Sequence, residues 1–210
     1  MKRLIVAYIF FTLTIMGCEK RKNHTSVHSD VISEVRYDEF KNWEFRGIEM
    51  SKVNEQFQGE DVYNLSVVDH IETFTFVAIN NIKIRYTGGK YRITFFVKPI
   101  NEYSNYGIRV QEVYPTRLDA VFDFASKTVR GVYKNGEFTN NEKLKIKPEE
   151  NGWFECVLEL EIKASYFRLL FGPTDVVENQ VKSWESEALN KKSRGLLIVP
   201  SKIKIEELKL

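Results

Sequence analysis

Few side chains in this sequence are equipped for covalent or metal chemistry. Its two cysteines are Cys18 and Cys156, and its three histidines are His24, His28 and His70. A zinc site needs about four such ligands converging. His70 beside Asp69 falls far short of that, so neither a metal nor a cofactor is expected. Thr87-Gly88-Gly89-Lys90 lies between two strand-like runs and opens no helix, so it is not a phosphate loop. Glycoside hydrolysis needs two carboxyls ~5–9.5 Å apart. Glu155, Glu159 and Glu161 share one side of a strand-like run and read as its solvated face. Arg109, Gln111, Tyr166 and Arg168 offer a different chemistry. Guanidinium forks and an amide bond hydroxyls or a carboxylate, which suits a sugar-binding face. A polysaccharide lyase can also work with Tyr, Arg and Gln alone. Pyranose rings need aromatic plates for their apolar faces, and Phe96 and Trp184 are candidates. Phe96 serves equally as packing for a second sheet. Trp153, which follows Gly152 at a corner, reads as a structural plug.

Strands must position these groups. Tyr91, Ile93, Phe95 and Val97 alternate with polar residues. So do Leu118, Ala120, Phe122 and Phe124, and Phe154, Cys156, Leu158, Leu160 and Ile162. Side chains along a strand point to opposite faces, so each run has one face on a core. Cys156 falls on that face and reads as a buried thiol. Tyr166 to Phe171 closes the set. Further strand-like runs are Asn42 to Met50, Val62 to Val68, Thr73 to Ile79, Ile82 to Tyr86, Ile108 to Val113, Thr128 to Lys134, Leu144 to Lys147, Gly195 to Val199 and Ile203 to Leu208. Val53 to Gly59 reads as a loop, Asn135-Gly136 as a hairpin turn, and Val31 to Phe40 as a short helix or an entry strand. Each of the five prolines falls at or just past the end of such a run. Short strands with turns every ~8–12 residues predict an all-β, two-sheet antiparallel sandwich. Val176 to Arg194 breaks the rhythm, and Trp184 sits in it.

The N-terminus has a different character. Lys2 and Arg3 precede an uncharged apolar run from Leu4 to Met16. A bilayer span takes about 20 apolar residues, so the run reads as a signal peptide. It ends in Ile15-Met16-Gly17-Cys18, which resembles the lipobox of bacterial lipoproteins. The resemblance implies cleavage after residue 17 and acylation of Cys18, with two or three chains anchoring firmly. The expected organisation is a signal peptide at 1–17, a lipidated cysteine and polar tether at 18–40, and a β-sandwich domain at 41–210. The expected location is the bacterial cell envelope, on the outer membrane in a Gram-negative cell. Of 31 Lys+Arg and 29 Asp+Glu, the leader takes two cations and no acid. The neutral remainder argues against nucleic acid as a partner.

The order of motifs resembles the jelly-roll carbohydrate-binding modules of the galactose-binding-like type, and related phage tail domains. The resemblance rests on the turn and aromatic strand from Gly89 to Lys98, on Ala120 to Asp123 followed by Ser126 to Val129, on the Asn151 to Phe154 corner, and on Ser201 to Ile205. It implies a jelly-roll β-sandwich over about Trp43 to Leu208 and a glycan as ligand. Two positions depart from that family. Phe154-Glu155 stands where Tyr-Arg is common, and Ser201 stands where an aspartate would serve a structural calcium. The readings open from sequence are therefore a non-catalytic glycan-binding lipoprotein, a polysaccharide lyase-like enzyme, or a structural envelope lipoprotein that binds another protein. The anchor has a direct test. Cys18→Ser should move the protein from membranes to the soluble fraction. Unchanged partitioning, with no acyl mass on the N-terminal peptide, would contradict it.

Overall fold

The computed structural model describes residues 31–36, 40–68, 75–85, 87–101, 105–138, 142–174, 181 and 195–209. The leader, Cys18, the three histidines and Trp184 lie outside the described residues. Among the described residues, fourteen strands form two antiparallel sheets. The first sheet holds β1 (Val31–Arg36), β3 (Ile48–Phe57), β4 (Glu60–Val67), β6 (Gly89–Pro99), β10 (Lys143–Pro148), β11 (Phe154–Ile162), β13 (Gly195–Ile198) and β14 (Lys204–Leu208). The second runs in the order β2 (Trp43–Arg46), β5 (Phe76–Lys83), β12 (Tyr166–Thr174), β7 (Asn105–Gln111), β8 (Arg117–Asp123) and β9 (Thr128–Asn135). This is the expected jelly-roll β-sandwich.

The alternating runs form the core. Ile93, Phe95 and Val97 of β6 and Cys156, Leu158 and Leu160 of β11 face Ile108 and Val110 of β7, Leu118 and Phe122 of β8, and Leu169 and Phe171 of β12. Phe95 bridges the layers, with its ring centroid 5.2 Å from both Tyr106 and Phe171. Burial pushes the Cys156 thiol well above its ordinary range, which leaves it protonated and inert.

Four local readings change. Asn42 to Met50 is two strands in different sheets, because Gly47 at φ 54° turns the chain from one layer to the other. Val53 to Gly59 is no loop. β3 runs to Phe57, and Gln58 and Gly59 (φ 52° and 80°) make a two-residue hairpin turn that pairs Phe57 with Glu60. Both central residues of such a turn need positive φ, a conformation a glycine adopts without cost. Asn135-Gly136 bends the chain but makes no hairpin. β9 belongs to the second sheet, while β10 pairs with β11 in the first. Finally, of the two readings of Val31 to Phe40 the entry strand holds for Val31–Arg36, which pairs with β14, so the sheet begins upstream of the expected domain start at residue 41.

Trp153 is a plug, as expected. It is 1% exposed and stacks on Phe57 at 4.5 Å, within an apolar cluster with Val62 and Val199 on the outer face of the first sheet. Its Nε1 donates to Glu55, which also holds Lys98. Phe96 packs against this cluster with its ring 5.5 Å from Phe57, and Lys202 lies over it. Neither a ligand face nor a second sheet explains Phe96. A local cap does. Trp153→Ala should cost about 3–5 kcal/mol of stability, the range for large buried aromatics. A urea midpoint close to wild type would contradict the plug.

Candidate functional site

The outer face of the second sheet brings together most of the polar residues singled out by sequence. Cross-strand register sets Arg168 opposite Gln111, Leu170 opposite Arg109, Arg109 opposite Asp119, and Tyr166 opposite Lys83. Phe96 is in the other sheet and does not belong to this face. Trp184 lies outside the described residues.

The middle of the face is closed. Phe76, Ala78, Val121 and Leu170 form an apolar patch buried together with Val181. Arg109 is buried among them and bonds Asp119 through two parallel contacts of 2.6 and 2.7 Å. Asp119 is fully buried, and its Oδ2 also accepts the Val181 backbone N–H at 3.3 Å. Arg109 was expected to meet a ligand. It is instead consumed by Asp119 beneath Val181, because a guanidinium this deeply buried must be neutralised.

Arg168 is half-buried beside this patch. Its Nη2 donates to Glu44 at 2.8 Å, and its guanidinium lies 5.5 Å from the centre of the Phe76 ring. Its Nε is buried and meets no acceptor among the described residues. Glu44 also accepts from Arg46 at 2.8 Å and Asn80 at 3.1 Å. The Arg46 and Asn80 hydrogen bonds, helped by the charge of Arg168, hold its carboxyl below the ordinary range against the opposing effect of burial. On this face Arg109 and Arg168 are thus paired with Asp119 and Glu44. On the outer face of the first sheet, Glu159 is likewise tied to Arg92 at 2.7 Å and to Lys90 at 3.8 Å. Burial lifts the Glu159 carboxyl, but Arg92 and the nearby lysines outweigh it, and the group sits below its usual value.

What stays open is the end of the face. Tyr166 is 48% exposed and lines a hollow of about 460 Å³ with Asn81, Lys83, Ile84 and Ser165. Small-ligand clefts span about 300–1,000 Å³. Asn81 takes φ 55° where the β5–β12 register shifts, and the strand continues through Ile82 to Lys83. The neighbouring β7–β8 turn carries Tyr114, 77% exposed, and is pinned beside the β11–β12 turn by Glu112, which accepts the Lys163 backbone N–H at 2.9 Å. Gln111, half-buried, faces the same end. Of the six residues expected to bind a ligand, Tyr166, Gln111 and Arg168 share this part of the face. Asn81, Lys83 and Ser165 were not foreseen. Lys83 was visible only as the polar member between Ile82 and Ile84. Among the described residues no three His, Cys, Asp or Glu side chains converge as a metal site. At Ser201, the hydroxyl donates to Glu60 at 2.8 Å.

No family model matches the chain, and no curated protein matches it. Solved structures do resemble it in fold. One is the carbohydrate-binding and catalytic module pair of an endo-1,4-β-D-xylanase from Clostridium thermocellum, complexed with xylohexaose (12% identity, TM-score 0.46). That match covers 86% of this chain, which spans only 28% of the xylanase structure. A carbohydrate-binding module of a Cellvibrio mixtus lichenase, in complex with cellotriose, matches at 10% identity over 86% of this chain and 99% of the module, with a TM-score of 0.40. The C-terminal carbohydrate-binding module of a marine laminarinase from Zobellia galactanivorans matches at 11% identity over 84% and 98%, with a TM-score of 0.38. The last two of these neighbours are carbohydrate-binding modules.

The buried pair makes a sharp prediction. Asp119→Ala removes the buried carboxylate that Arg109 bonds and should cost about 3–5 kcal/mol, whereas the double change Arg109→Met with Asp119→Leu should recover most of it. Equal urea midpoints for the single and double variants would show that the pair is not what the face depends on.

Proposed function

We propose that this chain is a lipid-anchored protein of the bacterial envelope whose sandwich binds a glycan without catalysis, held to the outer membrane in a Gram-negative cell by acyl chains on Cys18. The observation that carries the reading is the open end of the second sheet. There an exposed tyrosine lies beside an amide, a hydroxyl and an ammonium in one hollow, with the Gln111 amide on the same face. Sugars ask for this combination: a broad apolar plate for the ring, and planar or rotatable donors and acceptors for the hydroxyls. The arginines nearby are internally paired, so they shape the face and do not act on a substrate. The Ile15 to Cys18 motif supports the anchor. The polar stretch that follows it suits a tether.

A glycan array with the soluble domain, followed by calorimetry on its best ligand, tests the reading. Tyr166→Ala should weaken binding by about 1–2 kcal/mol, roughly five- to thirtyfold. Its stability should stay within about 0.5 kcal/mol of wild type, as for most surface changes. Silence across the array, or full affinity in the variant, would overturn the assignment.

A further inference from the structure

Within that glycan reading, on which this step rests, we infer that the ligand is anionic: a sugar bearing a carboxylate or a sulfate ester, with Lys83 as the residue that selects the charge. Lys83 pairs with Tyr166 across β5 and β12, and both side chains are exposed and line the same hollow. Four other cations of this sheet are neutralised from within. Arg46 and Arg168 share Glu44, Arg109 has Asp119, and Arg130 has Asp123. Lys83 has no carboxylate partner among the described residues. A second ammonium, Lys163, stands three residues before Tyr166, and its contact is a 3.9 Å approach to Glu137, itself 85% exposed. Of the acids near this rim, Glu137 is largely in solvent, and the Glu112 carboxylate is engaged with the Lys163 backbone.

An ammonium recognises an anion as a point charge, so a carboxylate and a sulfate ester suit it alike. Hydrogen bonds with an ionised partner are about twice as strong as neutral ones. The tyrosine ring would hold the sugar, and Lys83 would distinguish a charged sugar from its neutral counterpart.

Four polymers separate the possibilities. Polygalacturonate and its methyl ester differ in carboxylate charge, and dextran sulfate and dextran differ in sulfate charge. The wild-type domain should bind one of the charged polymers at least about tenfold more tightly than its neutral partner. That preference should vanish in Lys83→Gln, persist in Lys83→Arg, and persist in Lys145→Gln, which removes an exposed charge from β10 of the other sheet. It should also weaken at high salt. Preference for polygalacturonate identifies a carboxylated sugar, and preference for dextran sulfate a sulfated one. A preference that survives in Lys83→Gln, or fades equally in Lys145→Gln, reflects diffuse charge and overturns the inference. Equal binding of charged and neutral polymers, or binding confined to neutral array glycans, overturns it while leaving the glycan reading intact. Binding to no polymer and no array glycan removes both.

Discussion

The outer face of the second sheet carries more apolar surface than a solvated sheet can present. Phe76, Ala78, Val121 and Leu170 stand side by side on it, and they are buried in one cluster with Val181. Leaving such a patch wet would forfeit about 25 cal/mol per Å² of apolar surface. The consequence reaches beyond stability. Closure of the middle of the face removes Arg109 and Asp119 from any encounter with a ligand. It leaves the end of the sheet, where Tyr166, Lys83 and the β7–β8 turn lie, as the open part of the face. The first sheet solves the same problem differently. Its outer apolar patch is closed by Phe57 from the β3–β4 hairpin and by Trp153 from the corner before β11.

The core was legible in the sequence because alternation is a direct record of burial. Every run that alternated cleanly became a strand with its apolar side inward. The outer faces were less legible. Asp119 and Arg109 alternate with core residues and therefore read as solvent-facing. Nothing local announces that Val181, 62 residues from Asp119 in the chain, bonds that carboxylate. Phe96 failed for the same reason, since its covering residues come from positions 57 and 153.

Turn chemistry was informative about bending and silent about partners. Gln58-Gly59 and Asn135-Gly136 both supply positive φ, yet one closes a hairpin and the other sends the chain between sheets. The difference lies in what the following strand must bury. Glu60 onward can pair at once with β3 in the same layer, whereas Leu144 and Ile146 complete the core beside β11. Register also hid part of the candidate site. The shift at Asn81 brings Lys83 directly opposite Tyr166, and a one-residue displacement moves a side chain to the other face.

The Arg109–Asp119 pair is costly for what it contributes as charge alone. Taking both groups out of water consumes much of their mutual attraction, and a well-packed apolar pair is often as stable. Its geometry supplies something an apolar pair lacks. One Asp119 oxygen faces the Arg109 Nε at 2.6 Å, while the other receives both the guanidinium Nη2 and the Val181 N–H. Apolar contact would hold Val181 anywhere over Phe76 and Leu170. A hydrogen bond to a fixed carboxylate holds it at one register. The pair therefore fixes where Val181 lies over the patch. In the proposed reading, the face that presents Tyr166 depends in this sense on an ion pair that no ligand touches.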